Sequence, residues 1–369
     1  MARLIPSLPN DIATECLIRL PFQHFPAATL ACEDWKLEIE SPEFFRSRKV
    51  SGYSQPIIVM ALAKVGGERE GSSRENRRRP VYRLAFCDLK TGKWGELQPI
   101  PEFSKGLPMF CRLAMAGLNL VVIGGWDPET CRVSSSVFIY SFASATWRRG
   151  ADMPGVKRSL FGCASDINGE KVYVAGGHDE EKNALTSVLG YDVAKDEWIR
   201  LPDMARERDE CNAVFHSGEI HVFGGYSTEA QGVFDAGFEA FDLGEWKWVR
   251  KPENFLETNM SAKTCVADGN GRLYICQGGE MMVAYGGVKW RRVADLPVDM
   301  SILASAMIGQ KKILVVGSGK SDDPHMLYEL DLERCAWDEV GGSKTVFGSC
   351  SINLFSGDLI SYQYFCTKF

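Results

Sequence analysis

Apolar residues recur along this chain with two different periods. Over residues 4–50 they fall at helical spacing: Ile12, Cys16, Leu17 and Leu20, then Leu30, Trp35, Leu37 and Ile39. That stretch contains no glycine, Asn10 or Ser7 is placed to cap the first helix, and Pro21 and Pro26 separate it from the next. Beyond it the pattern changes to short runs rich in Val, Ile, Phe and Tyr, bounded by Gly, Asp and Asn, which predict strands. The expected organisation is a small all-α module over residues 1–50, an all-β region over 51–355, and an unassigned tail over 356–369.

The β region repeats. Leu120 to Gly125, Val172 to Gly177, Ile220 to Gly225 and Leu273 to Gly279 each end an apolar run in paired glycines, and the second glycines lie 52, 48 and 54 residues apart. Ile57 to Gly67 is a first copy, and Val315 to Gly319 a degenerate later one. Each glycine run is followed by an aromatic residue and then a tryptophan: Tyr82 with Trp94, Tyr140 with Trp147, Tyr191 with Trp198, Phe241 with Trp248 and Tyr328 with Trp337, while Trp290 marks a shortened copy. Successive tryptophans are 53, 51, 50, 42 and 47 residues apart. Asn168-Gly169 and Ser217-Gly218 read as hairpin turns. Several short strands per period of ~50 residues predict the blades of a six-bladed β-propeller. Its glycines would allow close backbone approach near the central channel, and its tryptophans would fill the wedges between blades. The first copy lacks an inner strand, and Phe347 to Leu354 is expected to supply it and close the ring.

Composition narrows the function classes. A net charge of −6 and a pI near 5.6 give no reason to expect a nucleic-acid surface. The 12 cysteines are scattered without a Cys-x-x-Cys pair, which removes the common zinc and redox spacings. No apolar run reaches the ~20 residues of a membrane span, and the N-terminus lacks secretory character. The expectation is a reduced, soluble protein of the cytoplasm, the nucleus or both, with no cofactor. The charged segment Glu68 to Arg79 reads as a flexible insertion in the first blade, with nuclear targeting or regulation as the other reading.

Leu8-Pro9-Asn10-Asp11, Cys16-Leu17, Leu20-Pro21, Ala31-Cys32, Trp35 and Phe44 resemble an F-box. Ala31 and Glu33-Asp34 depart mildly from the usual text of that motif. About 45 residues are too few to bury a good core alone, so an apolar face left over must be covered by something. The resemblance implies a Skp-type adaptor that links to a cullin, with Leu8, Pro9, Asp11, Ile12, Leu17, Leu20, Pro21 and Trp35 at the contact. The repeats look like kelch repeats. Together with Val174 to Leu185 and Met204 to Cys211, they resemble a land-plant group of F-box/kelch-repeat proteins over residues from about 4 to 354. That resemblance implies a substrate receptor of an SCF-type ubiquitin ligase. It further implies phenylalanine ammonia-lyase, of phenylpropanoid metabolism, or type-B response regulators, of cytokinin signalling, as targets for ubiquitination and degradation. The alternative is a kelch scaffold that binds partners without driving degradation.

Target contacts are expected where loops rim one face of the propeller. Arg112, Arg158, Arg208 and Lys263 would form a basic mouth suited to acidic segments, with Trp126 and His178 on the loops after the glycine pairs. Solvated surface charge is the plainer reading of the cations. Catalysis finds little support. The five histidines are dispersed, against the clustered ligands a copper site needs. Gly317 to Ser321 mimics a phosphate loop but has Leu314 where the first glycine belongs.

Overall fold

A computed structural model describes residues 4–64, 81–166, 171–250, 256, 264–268, 271–285, 289–297, 301–308, 311–318, 326–340, 353–355 and 361–363. Four helices come first: α1 (Asn10–Ile18), α2 (Phe25–Ala31), α3 (Glu33–Glu40) and α4 (Pro42–Val50), with a 3-10 turn at Phe22–His24. Pro26 opens α2 instead of breaking it, because in the first turn its missing N–H has no helical partner to lose. Neither Asn10 nor Ser7 caps α1. Pro9 holds that position, and the Asn10 side chain accepts the Leu4 N–H at 3.1 Å, which ties down the segment before the helix.

The helices bury Leu17, Ile18, Phe25, Ala28, Ile39 and Phe44 against one another. Three residues with the same helical period stay outside: Ile12, Leu30 and Leu37 are 47%, 86% and 62% exposed. The module therefore has a filled core and leaves these three apolar side chains at its surface.

Six sheets follow as the blades of a propeller. The first has three strands, β1 (Ile57–Lys64), β2 (Val81–Asp88) and β3 (Lys93–Glu96). The next two are four-stranded meanders, β4–β7 (Arg112–Ala116, Asn119–Ile123, Val137–Ser141, Thr146–Gly150) and β8–β11 (Gly162–Ser165, Lys171–Ala175, Val188–Asp192, Glu197–Leu201). The fourth is β12–β15 (Asn212–His216, Glu219–Phe223, Phe238–Asp242, Lys247–Arg250). The fifth is β16–β19 (Val266–Ala267, Arg272–Gln277, Glu280–Tyr285, Trp290–Asp295), and the sixth is β20–β23 (Ser301–Ile308, Lys312–Ser318, Met326–Asp331, Ala336–Glu339). Strands β4, β8, β12, β16 and β20 neighbour one another in succession, so they are the innermost strands and surround the channel.

The tryptophans link blades by a hydrogen bond as well as by packing. Trp147, Trp198, Trp248 and Trp337 give their indole N–H to the carbonyls of Gln98, Ala151, Pro202 and Asp295, each at or just past the end of the outer strand of the preceding blade, at 2.6–2.8 Å. Trp147, Trp198 and Trp248 stand directly opposite Tyr140, Tyr191 and Phe241. The pairing differs at the ends of the ring, where Trp94 faces Cys87 and Trp337 faces Leu330, not Tyr82 and Tyr328.

The seam between first and last blades is apolar: Ile58, Met60 and Leu62 of β1 pack with Leu314, Val316 and Leu327. Most of the expected closing strand lies outside the described residues. Its last part, within β24 (Asn353–Phe355), runs beside β1 but pairs with β25 (Ser361–Gln363), and the hairpin lies against the inner strands β4 and β20. The Asn168-Gly169 turn is likewise outside the described residues. Ser217-Gly218 is a two-residue hairpin turn with both φ angles positive, at 51° and 82°.

The glycine pairs split into two kinds. Gly278-Gly279 makes a tight turn joining β17 directly to β18, with open space around both. At Gly125, Gly177 and Gly225 another stretch of backbone passes close by. A Cβ on Gly125 would lie 2.5 Å from the Cys111 nitrogen, one on Gly225 would lie 2.7 Å from the Asp209 oxygen, and one on Gly177 would collide with the Ser159 carbonyl. Gly155 has a similar φ of +80° but open space around it. Gly155→Ala should therefore cost about 1 kcal/mol, the left-handed penalty alone. Gly177→Ala adds a backbone collision and should cost about 3 kcal/mol. Urea unfolding of the two variants checks this, and equal losses would refute the close-approach role.

Candidate functional site

One end of the channel is built from the segments that precede the inner strands and the loops that follow the glycine pairs. There the ladders extend past the regular strands through single bridges: Met109 with Trp126, Ser159 with His178, and Asp209 with Tyr226. The next residue in each blade, Phe110, Leu160 and Glu210, has φ of 60°, 53° and 50°, a left-handed kink repeated at one lip. Such a conformation costs a non-glycine residue of order 1 kcal/mol and persists only where its surroundings impose it.

The expected basic mouth is corrected by burial. Arg158 and Arg208 are both 2% exposed, and Arg112 is buried as well. Arg158 gives hydrogen bonds to the carbonyls of Gly176 and Ser187 and to the Ser187 hydroxyl, at 2.8–3.2 Å. Arg208, one blade on, donates to the matching carbonyl of Gly224 and to Glu239, and lies 3.4 Å from Asp235. Arg112 is not their counterpart. It begins β4 where β8 and β12 begin with Gly162 and Asn212, and it donates to the Phe161 carbonyl at 2.6 Å.

These guanidinium groups close the ends of blades, since inside a wall a fork of donors has more value on carbonyls than in water. Their electrostatics differ. Burial pulls Arg158 down to about 10, and no carboxylate lies within ion-pair distance of it among the described residues. Lys263 lies outside the described residues.

His178 is also buried, between two blades. Its Nε2 is 2.7 Å from the Ser159 hydroxyl and its Nδ1 is 2.8 Å from Asp209. A carboxylate only accepts, so Nδ1 carries the hydrogen. The order Ser–His–Asp matches a hydrolase triad, but Ser159 is 0% exposed. No substrate atom reaches its oxygen, so the chain of bonds serves to join the third and fourth blades.

What the lip does expose is partly aromatic. Trp126 is half-buried, meets the Phe110 ring edge-on at 6.0 Å, and has an indole N–H without an acceptor among the described residues. Tyr226 is half-buried too, and its hydroxyl donates to Glu210 at 3.1 Å.

The F-box residues divide in the same way. Pro9, Asp11, Ile12 and Pro21 are at the surface and Leu8 is half-exposed. Leu17 is core, Leu20 packs on that core, and Trp35 turns its N–H inward to the Leu4 carbonyl at 2.5 Å. Between α1 and α3 runs an open groove of about 680 Å³ with Ile18 and Leu37 among its apolar walls and Asp11, Glu15, Asp34 and Glu38 along it. Sequence reasoning missed Leu30 and Leu37 as surface groups, and it missed Ser159, Asp209 and Glu239. The last three had a detectable signal, because they occupy matching or facing positions in adjacent repeats.

His216 and His221 face each other with ring centroids 5.0 Å apart, and His221 lies 2.8 Å from Glu219. Among the described residues, no group of three or more His, Cys, Asp or Glu side chains converges as a metal site would require.

A helical module with apolar side chains left at its surface, joined to a six-bladed propeller with loops around one mouth, has the form of a two-part recognition protein. The propeller matches the family model of the Attractin/LZTR1 β-propeller over residues 66–288. Two Arabidopsis thaliana proteins, the F-box/kelch-repeat proteins At1g15670 and At1g80440, are 45% and 44% identical to this chain; in both cases the match covers 90% of this chain and 94% of the relative. A more distant relative, N-(sulfonatooxy)prop-2-enimidothioate sulfolyase of Thlaspi arvense, is 24% identical over 69% of this chain and 83% of its own length. The chain belongs to the F-box/kelch-repeat family.

Two outcomes follow for the buried charges. Arg208→Met leaves the buried Glu239 without its cation and Asp235 with Arg206 alone, and should cost about 3–5 kcal/mol, whereas Lys182→Met, on an exposed loop, should stay within about 0.5 kcal/mol. A stable Arg208→Met would restore the reading of this arginine as a free ligand group.

Asp235 supplies a pH test. Burial pushes its carboxyl up, but the Gly237 N–H, the Arg208 charge and the Arg206 hydrogen bond outweigh it and hold the carboxyl below its ordinary value. A depressed carboxylate stabilises the fold above its unfolded pKa of about 4 and loses that contribution as pH falls through the folded value. The stability gap between the parent and Asp235→Asn should thus be widest near neutral pH and close below pH of about 4. A gap independent of pH, in denaturation curves across that range, would contradict this.

Proposed function

We propose that this chain is the substrate-recognition subunit of an SCF-type ubiquitin ligase. The F-box takes a Skp-type adaptor and, through it, the cullin. The propeller holds the protein to be modified, and the chain contributes no catalytic group. One observation carries the reading: a helical module whose core is complete once docked on the propeller still exposes Ile12, Leu30 and Leu37. Exposed apolar groups gathered on a small module are what a partner of matching shape covers. Leu8, Pro9, Asp11 and Pro21 are surface residues of the same module and complete the contact. Kinship with the F-box/kelch-repeat proteins supports the same assignment.

The target is bound at the mouth, with Trp126 as its anchor. The finer reading takes phenylalanine ammonia-lyase, a type-B response regulator or both as the target, with the protein in the cytoplasm, the nucleus or both. The loop text from His178 to Leu185 and from Arg206 to Glu210, which resembles that plant group, supports the choice of target.

Replacing Ile12 and Leu37 together by glutamate should abolish co-purification of the adaptor while leaving the melting temperature of the propeller unchanged, since neither side chain is part of a core. Co-expression of the parent chain should shorten the half-life of phenylalanine ammonia-lyase in a proteasome-dependent way, and the double variant should not. Adaptor binding that survives both charges would defeat the ligase reading. A stable ammonia-lyase alongside an intact ligase would defeat only the choice of target.

A further inference from the structure

We propose that the F-box and the propeller form one rigid strut, and that Phe22 and Thr29, wedged against the second blade at Phe142 and Ala143, are positioning residues that fix where a bound target meets the ligase. The inference rests on the receptor reading above.

The six residues between α4 and β1, Ser51-Gly-Tyr-Ser-Gln-Pro56, have the composition of a flexible tether. Their hydrogen bonds make them a splice. The amides of Ser51, Gly52 and Tyr53 donate to the carbonyls of Ser47, Lys49 and Arg48; the Gln55 side chain accepts the Phe22 N–H at 2.8 Å; and the Pro56 carbonyl accepts the Leu89 N–H. Arg48, 4% exposed, lies under this junction. It donates to the carbonyls of Ile18, Leu20 and Tyr53, and its guanidinium rests 4.8 Å from the centre of the Phe25 ring.

The contact with the propeller is a packed one. The Phe22 ring meets Phe86 of the first blade and Phe142 of the second edge-on, both at 6.2 Å. The Thr29 hydroxyl donates to the buried Ala143 carbonyl at 3.2 Å. Ala143 is 1% exposed and belongs to the same apolar cluster as Leu17, Phe25 and Phe44, so the core of the F-box is completed by a turn of the propeller.

The direction of β4 sets the geometry. It runs from Arg112 at the mouth to Ala116, and the turn that follows, with Leu118, meets the F-box. Mouth and F-box therefore lie at opposite ends of the blades, separated by a five-residue strand of about 17 Å.

The chemistry explains why a fixed angle matters. A target lysine Nζ attacks the thioester carbonyl that joins ubiquitin to the cysteine of a conjugating enzyme. An isopeptide bond forms, the carbon–sulfur bond breaks, and the lysine proton goes to the departing thiolate. Holding the two reactants on one rigid frame raises their effective concentration, and a hinge dilutes it.

The test uses the full chain with Cys16, Cys32, Cys131, Cys276, Cys335 and Cys366 changed to serine and nitroxide labels on Glu40→Cys and Lys182→Cys. The parent should give a single distance peak no broader than the labels' own spread. Phe22→Ala with Thr29→Val should at least double its width. In the reconstituted ligase with phenylalanine ammonia-lyase as the probe, that variant should keep adaptor and target affinity within twofold. Its ubiquitin transfer should slow about tenfold and spread over more lysines, and Phe22→Tyr should restore both rate and site choice. A broad parent peak, an equally narrow variant peak, or a broadened variant that modifies the same lysines at the parent rate each overturns the proposal. If the parent binds no adaptor or no ammonia-lyase, the functional reading fails instead, and the distance distributions still decide whether the strut is rigid.

Discussion

The ring depends on one recurrent contact, the indole N–H of an outer-strand tryptophan reaching a carbonyl at the end of the outer strand of the blade before it. Among the described residues it is formed at Trp147, Trp198, Trp248 and Trp337. Each is worth about 0.5–1.5 kcal/mol net, and at three of them the ring also packs on an aromatic neighbour across the strand pair at 4.8–5.2 Å. In these four the contact points backward along the chain, so each of those blades is completed against its predecessor. That makes the propeller a sum of neighbour interactions, as in other repeat architectures. Its first and last blades meet through packing of the apolar face of β1 against β21 and β22.

Once the blades are locked, their two ends are free to do different work. At the mouth the wall consumes the polar groups that reach it. Arg158 and Arg208 saturate carbonyls, and His178 ties Ser159 to Asp209. A wall satisfied in this way is stiff, and what it leaves to solvent is a lip of loops. At the other end the turns of the first two blades receive the helical module, and Ala143 is shared between the two cores. Recognition and delivery are thereby assigned to opposite ends of the same short strands.

The sequence disclosed most of the architecture because repetition averages out local ambiguity. One Gly-Gly means little, whereas several in phase with a tryptophan each time fix blade number and strand order. It disclosed the site poorly, for a physical reason. Charged residues are usually exposed, so arginines next to inner strands read as a mouth that binds acidic chains. Burial inverts this, and only the register reveals that Arg158 and Arg208 occupy one slot while Arg112 occupies another. Leu30 and Leu37 failed in the opposite sense. Helical periodicity marks an apolar residue without telling whether the module or a partner covers it, and only the filled core of Leu17, Phe25, Ile39 and Phe44 excludes them. Likewise Ser51 to Pro56 has the composition of a tether, because hydrogen bonds to a neighbouring helix leave no trace in composition.

Comparison between blades separates packing from recognition better than exposure does. At the position after the glycine pair the second, third and fourth blades carry Trp126, His178 and Tyr226. His178 is used twice by the wall, once on each nitrogen, and the hydroxyl of Tyr226 is bound by Glu210 in its own blade. Trp126 occupies the same bridge with the largest side chain of the three, yet its N–H meets no acceptor among the described residues. An unmet donor of this kind costs about 1–3 kcal/mol, and a histidine or tyrosine is tolerated in the same slot one and two blades later. That N–H is itself buried, so a bound chain reaches the ring and not the donor. The half-exposed indole, held edge-on by Phe110, is the large aromatic surface expected of an anchor residue at a recognition surface.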